Sequence, residues 1–288
     1  MNVELRHLRA LTAIGDQGTI TGAATTLHIS QPALSRTLEQ LENRVGVRLA
    51  QRTTRSLTLT DAGQRLYERA HLILHQLDDA LAEAAAGVRP LRLGFARAAL
   101  GDRTVPVLRA WRENHPDTPI QVHRREDPEA ALRRGEIDAA LLRTAPAPST
   151  GLEVRLLHRE RRLAALPEND PLTHHPTVRL SDLADRSMVL CSTAPTTNDL
   201  WADTRRPHTI EVANVDEWLT VIAMGDAVGI TAEATEHHHP HPGVHYVPLT
   251  DAPPVAVLLA WQRTPTHPAI PALLTHLQRM TDTAGPGA

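Results

Sequence analysis

The sequence of 288 residues contains no lysine, one cysteine and seven aromatic residues from Phe, Trp and Tyr together. A single cysteine rules out an intrachain disulfide framework, which fits a reducing compartment and predicts a cytoplasmic protein. The scarcity of aromatics leaves Leu, Val, Ile and Ala to fill the cores. The missing lysine makes all 30 basic residues arginines, a compositional bias rather than a mechanism. No apolar run approaches the length of a membrane span, and the N-terminus lacks the apolar core of a signal peptide, so no membrane contact is expected. No Gly-x-Ser-x-Gly, phosphate-binding loop or dinucleotide fingerprint occurs, which argues against an enzyme.

The length suggests about two domains. Net charge is −3, but it is unevenly spread. Residues 1–60 hold seven arginines and four acids, for +3, and the remainder carries −6. A modest basic surplus sits at one end, where phosphate affinity would depend on placement and on more than one copy.

That end contains an informative stretch, Thr19 to Val45. Ile20, Ala23, Ala24 and Leu27 mark one side of a short helix. Leu34, Leu38, Leu41 and Val45 then recur at steps of four, three and four, an apolar stripe on a second helix. Together they predict a helix-turn-helix. Ser30 suits the N-cap and Pro32 the first turn. Gln31, Ser35 and Arg36 are left off the stripe near the N-terminal end. Gln pairs with adenine, Arg with guanine, and Ser with either, and a recognition helix offers its N-terminal residues to base edges. The competing reading is a helical hairpin with solvated polar residues.

Leu5, Leu8, Leu11 and Ile14 predict a preceding scaffold helix ending near Gly15. Alternation through Ser56-Leu57-Thr58-Leu59-Thr60 predicts a β-hairpin over Arg52 to Thr60. Thr60 then caps a long helix reaching Ala86. Leu66, Ala70, Ile73, Leu77, Ala80 and Ala84 form a heptad-like seam on it, which predicts a dimerisation surface. Packing onto its own chain is the alternative. Gly87-Val88-Arg89-Pro90 marks a hinge. Beyond it, strands at Leu91–Ala96, Ile120–Arg124 and Ile137–Leu142 alternate with helices at Val105–Trp111 and Pro128–Arg134. This order implies a parallel sheet with helices over it. Leu152–Leu166 reads as extended chain crossing to a second α/β unit. That unit has strands at Ser187–Cys191, Ile210–Val212 and Ala227–Ile230 and helices at Thr197–Ala202 and Val215–Met224. Val255–Trp261 returns to the first unit, and Ile270–Met280 is a final helix.

The motifs resemble one family throughout. Val3-Glu4-Leu5-Arg6-His7-Leu8-Arg9, Gly18-Thr19-Ile20-Thr21-Gly22-Ala23-Ala24, Leu27-His28-Ile29-Ser30-Gln31-Pro32-Ala33-Leu34-Ser35-Arg36 and Leu57-Thr58-Leu59-Thr60-Asp61-Ala62-Gly63 follow, in order, the N-terminal domain of LysR-type transcriptional regulators. Gly22 and Ala50 depart from it, where the family has a larger residue and an aromatic. Leu132-Arg133-Arg134-Gly135-Glu136-Ile137-Asp138 and Leu219-Thr220-Val221-Ile222-Ala223-Met224-Gly225-Asp226 resemble its effector domain more loosely. The resemblance implies a winged helix-turn-helix at 1–60, a linker helix at 61–89, a two-lobed α/β effector domain of the periplasmic-binding-protein type at 90–281, and a loose tail at 282–288. It implies contact with double-stranded DNA at an interrupted palindrome through Thr21, Ser30, Gln31, Pro32, Ala33, Ser35 and Arg36, with Arg52 and Arg55 of the wing on the backbone. It also implies a homodimer that pairs into a tetramer, with RNA polymerase as a further partner.

Ligands of open α/β sheets bind beyond the carboxyl ends of strands. Here those ends are Arg97-Ala98, Thr144 and the run holding Ser192, Thr193, Thr196 and Thr197. Hydroxyls and amides at a helix start, with Arg97 opposite, predict a small acidic effector such as a carboxylate. No other cofactor or metal is expected. His237-His238-His239-Pro240-His241 has no metal-ligand spacing, and Cys191 ends an apolar strand as a structural thiol. A constitutive DNA-binding protein without an effector is the alternative.

Overall fold

The computed structural model describes residues 3–52, 57–96, 99–191, 200–201 and 207–282. The chain divides into two compact units. One contains residues 1–89 and 130–137, and the other residues 90–129 and 138–288.

The first unit is built from α1 (Leu5–Gln17), α2 (Ile20–Thr26), α3 (Gln31–Val45), β1 (Ala50–Arg52), β2 (Leu57–Leu59) and α4 (Asp61–Ala86). α1 supplies the scaffold, burying Leu8, Ala10, Leu11, Ala13 and Ile14. It runs through Gly15 and stops at Gly18, whose φ of 61° is the left-handed conformation glycine adopts at low cost. Gly15 is therefore not the terminator that the sequence pattern implied. A Cβ there would lie 2.4 Å from two ring atoms of Tyr67, so the missing side chain makes room for that ring. β1 and β2 pair antiparallel, with Gln51 opposite Thr58, and form the wing.

α2, α3 and α4 each begin where a hydroxyl can take up an orphan N–H. Thr19 accepts from Gly22 N, Ser30 from Ala33 N and Thr60 from Gly63 N. Of the α3 stripe, Leu34, Leu38 and Leu41 are buried, whereas Val45 is 38% exposed at the last turn. Glu42, four residues after Leu38, is buried. Its Oε1 accepts from Leu49 N at 2.8 Å and Ala50 N at 3.2 Å, and Arg48 pairs with Oε2 at 2.8 Å. One carboxylate thus ties the end of α3 to the chain entering the wing. α4 is held to α1 by Tyr67 and Ala70. Residues 130–137 lie in the same unit, where His75 Nδ1 is 2.8 Å from the Arg134 carbonyl.

Among the described residues the second unit has three sheets of different character. β3 (Leu91–Phe95), β4 (Ile120–Arg124), β5 (Ala139–Leu142), β6 (Leu152–Glu160) and β12 (Val255–Gln262) form a sheet of order β4-β3-β5-β12-β6. β3 pairs parallel with β4 and β5, whereas β12 runs antiparallel to β5 and β6. α5 (Thr104–Asn114) and α10 (Ile270–Asp282) cover it with Trp111, Ile270, Leu273 and Leu277. The loop before β5 is anchored by Asp138, which is fully buried. Its Oδ2 accepts from Arg92 N at 2.8 Å, and its Oδ1 takes hydrogen bonds from Arg92 Nη2 at 3.2 Å and Thr266 Oγ1 at 2.8 Å.

β7 (Arg162–Pro167), β10 (Gly229–Ala232) and β11 (Val244–Pro248) make an antiparallel sheet, and β8 (Met188–Cys191) and β9 (Thr209–Val212) a parallel pair. α8 (Val215–Ala223) packs Trp218, Leu219 and Ile222 against Ala165 and Val189. The run Leu152–Leu166 is therefore two strands in two sheets, broken at Arg161. The two crossing connections are tied where Leu249 N donates to the Arg162 carbonyl at 2.9 Å and Arg162 Nε to the Pro253 carbonyl at 2.8 Å. The third strand expected in this lobe begins at Gly229 rather than Ala227.

Candidate nucleic-acid interface

The turn between α2 and α3 spans Leu27 to Ser30, and His28 there takes a positive φ of 54°. From Ser30 the chain enters α3 with Gln31 and Pro32 in its first turn. Gln31, Pro32 and Arg36 are exposed, while Ala33 and Ser35 are half-buried. Arg36 Nε donates to the Pro32 carbonyl at 3.2 Å, which lays the guanidinium along the first turn of the helix. Thr21 is exposed on α2, and its carbonyl accepts from Thr25 Oγ1 at 3.0 Å. Arg52 closes β1, and Arg55 lies outside the described residues.

The exposed face of α3 owes its position to its underside. Leu34 and Leu38 pack into a core with Ala10, Ala13, Ile14 and Leu57 of α1 and the wing, and Leu41 packs with Leu11, Leu49 and Tyr67. The stripe fixes the rotation of α3 about its axis and turns Gln31 and Arg36 outward. Ser30 takes up the Ala33 N–H and Pro32 carries none, so the exposed Gln31 amide and Arg36 guanidinium are the donors that suit base edges and a phosphate backbone.

The seam of α4 divides. Ala70 is fully buried within its own unit and Leu66 is half-buried, so the α1 side takes up that part. Ile73, Ala80 and Ala84 are exposed and Leu77 is half-buried. Leu81, outside the expected seam, is 62% exposed. At the other end of α4, Arg65, Leu66 and Arg69 join Val45, Val47 and Leu49 around a groove of about 400 Å³.

Of the residues expected to hold an effector, Thr144 is exposed just beyond β5. Arg97, Ala98, Ser192, Thr193, Thr196 and Thr197 lie outside the described residues, as does most of the helix expected at Thr197–Ala202. Beside Thr144, Arg143 Nη2 bonds the Ala99 carbonyl at 3.0 Å and Glu160 Oε1 at 3.0 Å. Burial works against the charge on Glu160, but His158 and Arg143 outweigh it and hold the carboxyl below its usual range. Periodicity gave no sign of this pair, because its partners are brought together by the sheet. Among the described residues no group of three or more His, Cys, Asp or Glu side chains could hold a metal. Cys191 is buried in β8.

Comparison with known proteins finds two domain models in the chain. Residues 5–64 match the bacterial regulatory helix-turn-helix model of the lysR family, and residues 84–282 match the LysR substrate binding domain. The Escherichia coli regulator YnfL, described as an uncharacterized HTH-type transcriptional regulator, is 35% identical over 79% of this chain and 80% of its own. The E. coli Hca operon transcriptional activator HcaR is 32% identical over 93% and 95%. Full-length CbnR, solved in complex with its target DNA, superimposes with a TM-score of 0.57 at 22% identity, over 97% of this chain and 100% of that one. With both domain models matched and close relatives spanning most of its length, the chain belongs to the LysR family of bacterial transcriptional regulators.

Proposed function

We propose that the protein is a cytoplasmic regulator that reads an interrupted palindrome as a dimer and answers to a small carboxylate held between its two α/β lobes. The observation that carries the DNA reading is the exposure of Gln31 and Arg36 at the capped start of α3 above a fully buried leucine spine. In this reading Gln31, Ser35 and Arg36 meet base edges. Thr21, Ser30, Pro32 and Ala33 set the approach, and Arg52 and Arg55 meet the backbone on the wing.

Dimerisation falls to α4. Its exposed Ile73, Ala80, Leu81 and Ala84 have no reason to be apolar on a solvated helix. Arg65 and Arg69 stand near its start, with no ion-pair partner among the described residues. Asp78 stands exposed near its end, where Asp79 and Glu83 are paired with Arg89 at 3.2 and 3.5 Å. Antiparallel pairing of two copies sets Arg69 of each near Asp78 of the other. It also lays Leu81 over the partner copy's groove at Val45, Val47 and Leu66. Two reading helices on one dimer then engage two half-sites. Pairing of dimers into tetramers and contact with RNA polymerase extend the same reading.

The effector reading rests on strand-end chemistry at Arg97, Ala98, Thr144 and the Ser192–Thr197 run. Selection of bound duplexes from a random DNA pool, followed by footprinting with and without a panel of small carboxylates, tests both parts. A two-half-site consensus whose footprint shifts with one acid is expected. Enrichment of no sequence overturns the DNA reading. A footprint that no acid alters favours the constitutive binder.

A further inference from the structure

α1 and α4 meet at one polar point whose chemistry the DNA-reading role leaves unused. The Tyr67 ring lies on Gly15, and its hydroxyl donates to Asp16 Oδ1 at 2.5 Å. The same oxygen lies 3.2 Å from His71 Nε2, one turn further along α4. A single carboxylate oxygen at the end of α1 therefore gathers two groups from successive turns of the linker helix. The His71 side chain is 15% exposed, so water only partly screens the contact. Its ring stands edge-on to Tyr67 at 4.7 Å and lies over His75 at 6.0 Å.

The charged and titratable neighbours are few. α1 offers Asp16. α4 offers Tyr67, His75 and Glu68, the last paired with Arg133 at 3.7 Å. The segment after α6 (Pro128–Arg133) offers Arg134, held by Glu136 at 2.7 Å. His75 Nδ1 faces the carbonyls of His71 and Arg134, which makes it a donor in either charge state. Arg133 and Arg134 each have an acid beside them. Asp16 is thus the group in direct contact with the His71 ring nitrogen. It is partly buried, yet its hydrogen bonds from His71 and Tyr67, with the charge of Arg134, keep it ionised below the usual carboxylate range.

We propose that Asp16 and His71 form a proton-operated latch that sets how firmly α1, and the reading helix packed on it, is held to α4. Histidine changes charge across neutral pH. As neutral imidazole, His71 gives Asp16 one ordinary hydrogen bond. As imidazolium it gives a charge-assisted bond and an ion pair. The junction is therefore tighter with the imidazolium than with the neutral ring. α3 packs directly on α1, so the play allowed at this junction is the play allowed to the reading helix relative to α4.

Hydrogen exchange on the full-length protein at pH 6 and pH 8, corrected for the intrinsic chemical rate, reads this directly. Peptides covering residues 8–20 and 64–76 should be about two- to five-fold better protected at pH 6, the range an exposed to half-buried ion pair supplies. Asp16→Asn and His71→Gln should each remove that difference while leaving protection in the strands β3 and β12 unchanged. Equal protection of the native protein at the two pH values overturns the latch, and so does a pH response that survives in both variants.

Discussion

Gly63, in the first turn of α4, lies so close to Leu49 that a Cβ on it would sit 1.9 Å from the Leu49 carbonyl oxygen. That oxygen also accepts from Thr60 N at 2.9 Å, and Thr60 Oγ1 donates to the Arg48 carbonyl at 2.8 Å. The start of the linker helix is thereby pressed onto the chain that leads into the wing. Gly63→Ala must push backbone from backbone, because no flexible side chain can yield. A loss of about 1–3 kcal/mol is expected, typical of an overpacked site. Thermal unfolding of the N-terminal unit checks it. An unchanged transition would mean that the close approach relaxes without cost.

Much of this region is legible in the sequence alone. The Leu34, Leu38, Leu41 spine and the caps at Ser30 and Thr60 follow from helical spacing and hydroxyl chemistry, and both are local. Four features were not legible, for non-local reasons. Gly15 looked like a helix end, but it serves the Tyr67 ring from a distant helix. Val45 keeps the apolar spacing yet is left 38% exposed, lining the groove with Val47 and Leu49. Ala70 fits the seam, but α1 packs over it. Leu152–Leu166 reads as one strand, because periodicity carries no mark where a chain leaves one sheet for another. The acids that pin loops, Glu42 and Asp138, sit within motifs that were plain in the sequence. Their backbone partners were not. Most of the effector residues expected from strand ends lie outside the described residues.

His276 predicts how the second unit answers to acid. It is buried on α10 with Nε2 3.0 Å from the Val107 carbonyl, so that nitrogen carries the proton. Burial first, then the charges of Arg279 and His115, pull its pKa below the ordinary 6.5, against the opposing effect of the Val107 carbonyl. The unfolded chain takes up this proton as pH falls below about 6.5, while the folded chain resists it. Stability therefore declines as pH drops from there through the lower folded pKa. Unfolding scans from pH 7.5 to 5 should show the midpoint falling, by roughly 2–4 °C for each kcal/mol lost in a domain of this size. His276→Gln should flatten that part of the curve. A steeper fall in the variant would contradict the assignment.

The antiparallel pairing of α4 makes a prediction about cross-links. In a Cys191→Ser background, Leu66→Cys and Leu81→Cys are each made alone and treated with a short bismaleimide. Neither should cross-link by itself, and a mixture of the two should give a covalent dimer. Cross-linking of each variant with itself would show parallel helices. A dimer by light scattering with no cross-link in any sample would place the interface elsewhere.

The central claim is that α3 reads sequence through the two side chains its leucine spine holds outward. Fluorescence anisotropy with a selected duplex and a scrambled one measures this most directly, at fixed salt, for the native protein and the Gln31→Ala/Arg36→Ala variant. Each bidentate base contact is worth about 1–3 kcal/mol of discrimination. The variant should therefore lose at least about tenfold in preference for the selected duplex, while keeping its unfolding temperature and most of its affinity for the scrambled one. A variant that still prefers the selected duplex as strongly as the native protein would contradict the account.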